Sequence, residues 1–398
     1  MVRVFRAAAL LLIILTALCL CAYAEEAVDI AESCTLTVSV NLSSRRRVLE
    51  EDYRRYWDGE TGDATMTVST PEGQPAQGIM LGFYQTVPAV RVETEEGKLL
   101  AEFSDPFENA WIPFSEPSER FVIRSADGET PLQLNRLYVL SEGELPRWVQ
   151  RWQVMEGDAE LLVVSTHPDD EILWFGGLLP TYAGEMDRRV MVMYMVGGQA
   201  AHRKNELLDG LWLMGVHWYP EIGYLSDTSG ASIIGTYEAW GGKEVPVERV
   251  TEMIRKYRPP VVLTQDVNGE YGHTHHIVTV ASVIRAVEEC AADPEYAPES
   301  AERYGVCQPQ KLYIHLWKEN QLRFDWRQPL RFADGKTGLE LAREAFLKHG
   351  SQQRGRHHVQ DSGSLDCSLF GLYFTTVGPD EAKDDLFEHV TFPQKEEK

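Results

Sequence analysis

Apolar and polar positions follow two rhythms along this chain. From residue 25 to about 150, short runs alternate: "CTLTVSVNL" (34–42), "ATMTVST" (64–70), "GIMLGFY" (78–84), "AVRVETEEG" (89–97) and "RFVIRSADG" (120–128). Gly, Pro, Asp and Asn separate them, the pattern of an all-β sandwich or jelly roll whose strands bury one face. From about residue 158 the alternation stops. Continuous apolar runs "LLVVST" (161–166), "RVMVMYMV" (189–196) and "PVVLTQD" (260–266) are interleaved with helical patterns, "HRKNELLDGLWLMGV" (202–216) and "HIVTVASVIRAVEEC" (276–290). Strands buried on both faces and alternating with helices predict an α/β fold: a Rossmann-like, mostly parallel sheet with helices on both sides. The segment "SEGELPRWVQRW" (141–152), with one proline and two tryptophans, reads as a packed junction between the two parts.

The first 24 residues follow a different order. Two arginines, an apolar stretch and Ala22-Tyr23-Ala24 precede an acidic segment, the layout of a secretory signal peptide cut after Ala24. The expected organisation is therefore a leader at 1–24, a β domain at 25–152 and an α/β domain at 153–398. A membrane anchor through the apolar stretch, or a lipid on Cys19 or Cys21, fits less well, since each cysteine follows a leucine. The 38 Lys and Arg residues face 61 Asp and Glu, a net charge of −23, and losing Arg3 and Arg6 with the leader deepens it. That charge speaks against nucleic acid or an anionic membrane as partner. The basic clusters "SSRRR" (43–47) and "RGRHH" (354–358) read as solvated surface. Cys34, Cys290, Cys307 and Cys367 follow the leader. Export permits disulfides, and Cys290 and Cys307 flank a Pro/Glu-rich excursion, but four cysteines allow three pairings. No CxxC spacing occurs, so a cysteine-built zinc site is not expected.

Chemistry concentrates where strands end. In open α/β sheets, ligands sit at the carboxyl ends of the strands. Two loops there carry the candidates: His167-Pro168-Asp169-Asp170-Glu171 after the first apolar strand, and "NGEYGHTHH" (268–276) after the third, opening a helix expected to start near Ile277. Three adjacent acids on one rim repel one another unless a cation offsets them. His167 and Asp170, three apart, can turn toward one ion, and His276 supplies a third ligand from the second loop. Three protein donors with an open position suit a catalytic zinc, and iron(II) accepts the same set. Asp169, left beside the metal, can take a proton from an activated water, and His273 can assist a developing oxyanion or a leaving amine. Pro168 fixes the bend between the first ligand and the acids. Glu171, at the start of a helix, suits its positive end.

"HPDDE" after an apolar strand, "RKNE" after "MYMVGG", and "GEYGHTHHI" together resemble the PIG-L/LmbE superfamily of zinc-dependent de-N-acetylases. The likeness runs from about residue 158 to the C-terminus and includes "LKHGSQQ" (347–353). It implies metal ligands at His167, Asp170 and His276, a general base at Asp169 and an assisting histidine at His273. It also implies a substrate-contacting arginine at Arg203; without it, Arg203 reads as a helix-surface partner of Glu206. The family's second loop is usually His-Pro-Asp-His, whereas this chain has His273-Thr274-His275-His276. His275 stands in place of the acid that would steady the assisting histidine, so that role is either lost or taken by Asp266 or Glu270, and His275 rather than His276 is a second candidate for the metal. The β-rich part is more distantly similar to discoidin-type (F5/8 type C) carbohydrate-binding modules, with Tyr84, Trp111 and Arg124 as candidate glycan contacts. The expectation is an exported zinc hydrolase that removes N-acetyl groups from N-acetylglucosamine-containing glycans or glycoconjugates. Two other readings stand beside it: a metal amidase for a different acylated amine, and a non-catalytic glycan-binding protein.

Overall fold

The alternating runs of the first part form antiparallel strands in two layers. A computed structural model of the chain describes residues 25–392 except 86, 198–199, 229–231, 354 and 356. The expected leader (1–24) with Cys19 and Cys21, and also Arg354 and Arg356, therefore lie outside the described residues. Among these, β1 (Thr35–Val38), β3 (Thr65–Ser69), β5 (Val90–Glu93), β6 (Leu99–Phe103) and β8 (Arg120–Ser125) make one sheet in the order β1-β3-β8-β5-β6. The other sheet, β2-β9-β4-β7, uses β2 (Trp57–Asp58), β4 (Ala76–Phe83), β7 (Asn109–Ser118) and β9 (Gln133–Ser141). Period-2 alternation explains the packing: Leu36, Met66, Val68, Phe121 and Ile123 point from one sheet into Trp57, Ile79, Leu81, Leu134 and Val139 of the other. Pro113 and Pro117 fall in β7, the edge strand, where a missing N–H costs little.

The continuous apolar runs form the second sheet system. β10 (Leu161–Ser165) lies between β11 (Val190–Tyr194) and β12 (Val261–Thr264), and β13 (Lys311–His315) follows, all parallel. β14 (Gln321–Arg323) and β15 (Leu369–Thr375) close the far edge antiparallel, giving the order β11-β10-β12-β13-β15-β14. Successive residues of β10 serve opposite faces. Leu161 and Val163 join α1 (Asp170–Phe175), α2 (Ala201–Leu213) and the C-terminal α6 (Gly338–Lys348). Leu162 and Val164 join α4 (Glu244–Tyr257) and α5 (Thr274–Arg285); the short α3 (Ile233–Ala239) also packs on α5. Helices on both faces explain why these strands carry no polar alternation.

The chain leaves β10 for β11 on one side and returns to β12 on the other. The reversal opens a crevice at the carboxyl ends of β10 and β12, where both chemistry-bearing loops emerge. α5 starts at Thr274, three residues before the expected Ile277, so His275 and His276 belong to its first turn.

The junction is packed, as its tryptophans suggested. Val149 and Trp152 are buried, Trp152 donates to Gln150 Oε1 (2.8 Å), and Trp212 of α2 donates to the Arg147 carbonyl (2.7 Å). The β-sandwich also grips α2 directly. Asn135 donates to Asn205 Oδ1 (2.9 Å), Asn205 donates to Asn109 Oδ1 (2.7 Å), Lys204 pairs with Glu108 (2.9 Å), and Tyr53 donates to Asp209 (2.7 Å). Among the described residues Cys34, Cys290, Cys307 and Cys367 form no disulfide, and the 290–307 excursion is instead closed by the Cys307 N–H on the Ala291 carbonyl (3.1 Å). Among the described residues no helix is long and apolar enough to cross a membrane.

Candidate metal centre

Two loops deliver five side chains to one point. After β10 the backbone turns sharply, and Asp169 adopts φ +135°, ψ −25°, a conformation rarely taken by residues other than glycine. Asp169 occupies the N-cap position of α1, yet its side chain caps nothing; simple helix capping does not explain it. Its carboxylate instead meets Arg203 Nη2 of α2 at 3.2 Å. Arg203 also donates to the Pro168 carbonyl, so it ties the strained turn to α2. Backbone strain held this way is characteristic of functional turns. Arg203 does not pair with Glu206, which accepts from the Ser351 N–H (2.8 Å) and hydroxyl (2.6 Å). Glu171, besides opening α1, accepts the Asp169 N–H through Oε2 (2.9 Å) and thereby holds the turn.

On the second loop, Gly269 has φ +68°, which a side chain would strain, and an added Cβ would lie 2.9 Å from Ile277. The tight turn that follows brings Glu270 beneath the histidines. Its Oε2 accepts from His276 Nδ1 (2.7 Å) and its Oε1 faces His315 Nδ1 (3.3 Å). Neither Glu270 nor Asp266 reaches His273, so of the two outcomes neither acid takes over its orientation: Glu270 is spent on His276 and His315, and Asp266 accepts from Asn268 (3.3 Å). His275 does not take that role either. It turns to the far nitrogen of His167, with His275 Nδ1 3.1 Å from His167 Nε2.

The remaining atoms converge. His167 Nδ1, Asp170 Oδ2 and His276 Nε2 form a triangle with sides of 3.1, 3.1 and 3.2 Å. Ligands held about 2.0–2.2 Å from a tetrahedral ion stand ~3.3–3.6 Å apart, so the triangle matches one face of such a polyhedron to within a few tenths of an ångström. Each corner is braced from behind: Asp170 Oδ1 by Trp174 Nε1 (2.8 Å), His276 by Glu270, and His167 by His275. Such outer contacts orient ligands and fix imidazole tautomers. Electrostatics agree with the geometry. Burial would raise the Asp170 carboxyl, but His276 and His167 outweigh it and hold the group well below the usual carboxylate range. Burial would depress His276, but Asp170 and Glu270 on either side push it up to about 10. The centre is built to hold positive charge, and the donor set fits zinc.

Beside the triangle, burial pushes Asp169 up to about 7, against the pull of Arg203. Burial, with His167 and His276 nearby, lowers His273 to about 3, so its ring is neutral at physiological pH. The His273 ring lies 4.8 Å from that of His167 and 4.6 Å from that of His276, and its buried Nδ1 has no partner among the described residues. Sequence reasoning missed Trp174, Glu270's actual targets, His315 and Tyr271, a half-exposed ring 5.7 Å from those of His273 and His276. A signal existed only for Trp174, one helical turn after Asp170. Among the three candidate glycan contacts, Tyr84 stacks on Tyr56 (4.0 Å, 11°), Trp111 packs against Met80 and Leu140, and Arg124 pairs with Glu93 (2.8 Å).

An α/β domain with a braced His-Asp-His triangle at its switch point defines the class: a domain whose clustered donors suit a metal ion. Residues 162–287 match the family described as PIG-L, GlcNAc-PI de-N-acetylase, and this segment is a PIG-L domain. The chain is 28% identical over 205 residues to 1D-myo-inositol 2-acetamido-2-deoxy-alpha-D-glucopyranoside deacetylase 1 of Catenulispora acidiphila, covering 45% of this chain and 62% of that one. It is 31% identical over 174 residues to the corresponding deacetylase of Rhodococcus erythropolis, covering 37% and 58%. The chain thus spans about three fifths of the length of these curated relatives. Among solved structures, N,N'-diacetylchitobiose deacetylase from Pyrococcus horikoshii aligns at 21% identity with a TM-score of 0.37, over 49% of this chain and 71% of that one.

Proposed function

We propose that this chain is an exported, zinc-dependent N-deacetylase acting on N-acetylglucosamine-containing glycans or glycoconjugates. The observation that carries the reading is the triangle of His167 Nδ1, Asp170 Oδ2 and His276 Nε2, with the Asp169 carboxylate beside it, clamped by Arg203 rather than used as a ligand. The names of the relatives supply the acyl group and the amino sugar.

The chemistry a zinc ion supplies when bound there is Lewis-acid polarisation of the amide carbonyl and a lowered pKa for water. The protein's own groups do the rest. Asp169, near pKa 7, takes the proton of the attacking water. It returns that proton to the amide nitrogen as the C–N bond breaks, releasing acetate and a free amine. His273, neutral in this setting, contributes an N–H to the developing oxyanion instead of a proton to the leaving group. Arg203 keeps the Asp169 carboxylate aimed and presents the rest of its guanidinium to the substrate.

Acetate release from a panel of N-acetylated glycans, measured on zinc-loaded wild type and Asp169→Asn, tests this reading. The wild type should release acetate from at least one N-acetylglucosamine-containing glycan. The variant should retain its zinc and lose roughly 10²–10⁴-fold in rate, the usual contribution of a general base. Acetate from a different acylated amine alone would move the assignment to another amidase. An inert wild type that still bound glycan would leave a binding protein. N-terminal sequencing of exported material should begin at Glu25.

A further inference from the structure

The metal triangle uses one nitrogen of each histidine, and the outer nitrogens are treated differently. His276 Nδ1 faces a carboxylate, Glu270 Oε2, at 2.7 Å. His167 Nε2 faces another imidazole, His275 Nδ1, at 3.1 Å, with the two rings 28° from parallel. Asp227 Oδ1 stands 3.7 Å from the same nitrogen, beyond hydrogen-bond length. An imidazole whose Nδ1 lone pair points at a cation carries its one proton on Nε2. That proton is buried and needs an acceptor, and His275 Nδ1 is within reach. His275 must then hold its own proton on Nε2, the atom 3.4 Å from Thr228 Oγ1. The ring is fully buried against Trp240 (5.3 Å), and the preceding Thr274 is anchored by the Thr236 hydroxyl (3.2 Å), so the pair is locked in this order.

We propose that His275 is a positioning residue that fixes the orientation and tautomer of His167 through a histidine-to-histidine hydrogen bond. The inference rests on the metal centre proposed above. A carboxylate behind an imidazole draws on its N–H and makes the ring a stronger donor; an uncharged acceptor does so less. The triangle is therefore asymmetric, with His276 the stronger imidazole ligand and His167 the weaker. A competing arrangement has a definite prediction of its own: nitrogens of His167, His273 and His275 lie within 4.8 Å of one another, a spacing that could seat a second ion.

Zinc stoichiometry and chelator competition on the full chain, with His275→Leu, His275→Asn and His275→Asp, test the proposal. Leucine keeps bulk and removes the acceptor. Asparagine can place Oδ1 where Nδ1 was, and aspartate adds the charge. All four proteins should bind one zinc per chain. His275→Leu should bind it ~10–100-fold more weakly, the usual effect of losing an outer partner. His275→Asn should recover most of the wild-type affinity, and His275→Asp should exceed it. Melting of the metal-free proteins separates folding from binding; if His275→Leu does not fold, the order of aspartate above wild type and asparagine decides. Wild-type affinity in His275→Leu, or equal affinity in the aspartate and wild-type proteins, would overturn the proposal. So would two zincs in wild type falling to one in His275→Leu. Absence of zinc from every protein, wild type included, would overturn the metal centre itself.

Discussion

Asn205 tests whether the β-sandwich is part of the catalytic unit or merely attached to it. This side chain is fully buried on α2, two residues from Arg203, in a chain of amides crossing between the two parts. Truncation by Asn205→Ala removes the acceptor of Asn135 (2.9 Å) and the donor to Asn109 Oδ1 (2.7 Å) and to the Glu108 carbonyl (3.3 Å). Asn135 keeps only longer bonds to the Tyr53 and Phe83 carbonyls, both 3.3 Å, while Asn109 Oδ1 is left buried with no replacement. The lost bonds to Asn135 and to the Glu108 carbonyl at about 1 kcal/mol each, and the orphaned Asn109 acceptor at about 1–3 kcal/mol, put the loss at about 3–5 kcal/mol. At an unfolding entropy of about 2.1 cal/mol/K per residue, that is a fall in melting temperature of roughly 4–6 °C for a protein of this size. Differential scanning calorimetry of the full chain checks it, and the transition should stay single because the network binds both parts together. Acetate release should fall as well, through the loosened helix that carries Arg203. A variant melting within 1 °C of wild type with unchanged activity would refute the view that the sandwich buttresses the site.

Other predictions concern separate parts of the molecule. Glu270→Gln removes the charged partner of His276 and should weaken zinc binding about 10-fold or more in chelator competition; unchanged affinity would argue against a brace. Lys311 and Asp380 pair in full burial, so Lys311→Met alone should lower unfolding free energy in urea by about 3–5 kcal/mol. The double variant Lys311→Met/Asp380→Leu should regain much of that loss, since no unpaired charge remains. Burial pushes the Cys34 thiol up to about 11 and Cys367 up to about 12, so neither should react with Ellman's reagent at pH 8 until the protein unfolds. In guanidinium without reductant, Cys34, Cys290, Cys307 and Cys367 should all titrate; a pair that did not would indicate a disulfide.

Both layers were legible because side-chain periodicity depends on local burial alone. Alternation marked β1, β3, β4, β5 and β8, and unbroken apolar runs marked β10, β11 and β12. β14 and β15 escaped: they are antiparallel edge strands at the end of the sheet, one only three residues long, with no distinctive period. The start of α5 was placed three residues late because a histidine run carries no helix signal. Its first turn is set instead by the Gly269 turn and by Glu270 pulling on His276.

The chemistry divides along the same line. Residue type and spacing, read after the ends of buried strands, were enough to nominate His167, Asp169, Asp170, His273 and His276, since α/β sheets present their functional loops on one rim. Which nitrogen faces which neighbour was decided only by the fold. An imidazole is placed to act as ligand, brace or hydrogen-bond donor by what stands 3 Å away, and residues far apart in the chain supply those neighbours. Arg203 came to Asp169 rather than to the nearby Glu206 because α2 packs against the strained turn. His275 came to His167, 108 positions away, because the first turn of α5 points it there. Sequence determined which residues are candidates and that they share one rim; tertiary packing assigned each side chain its partner.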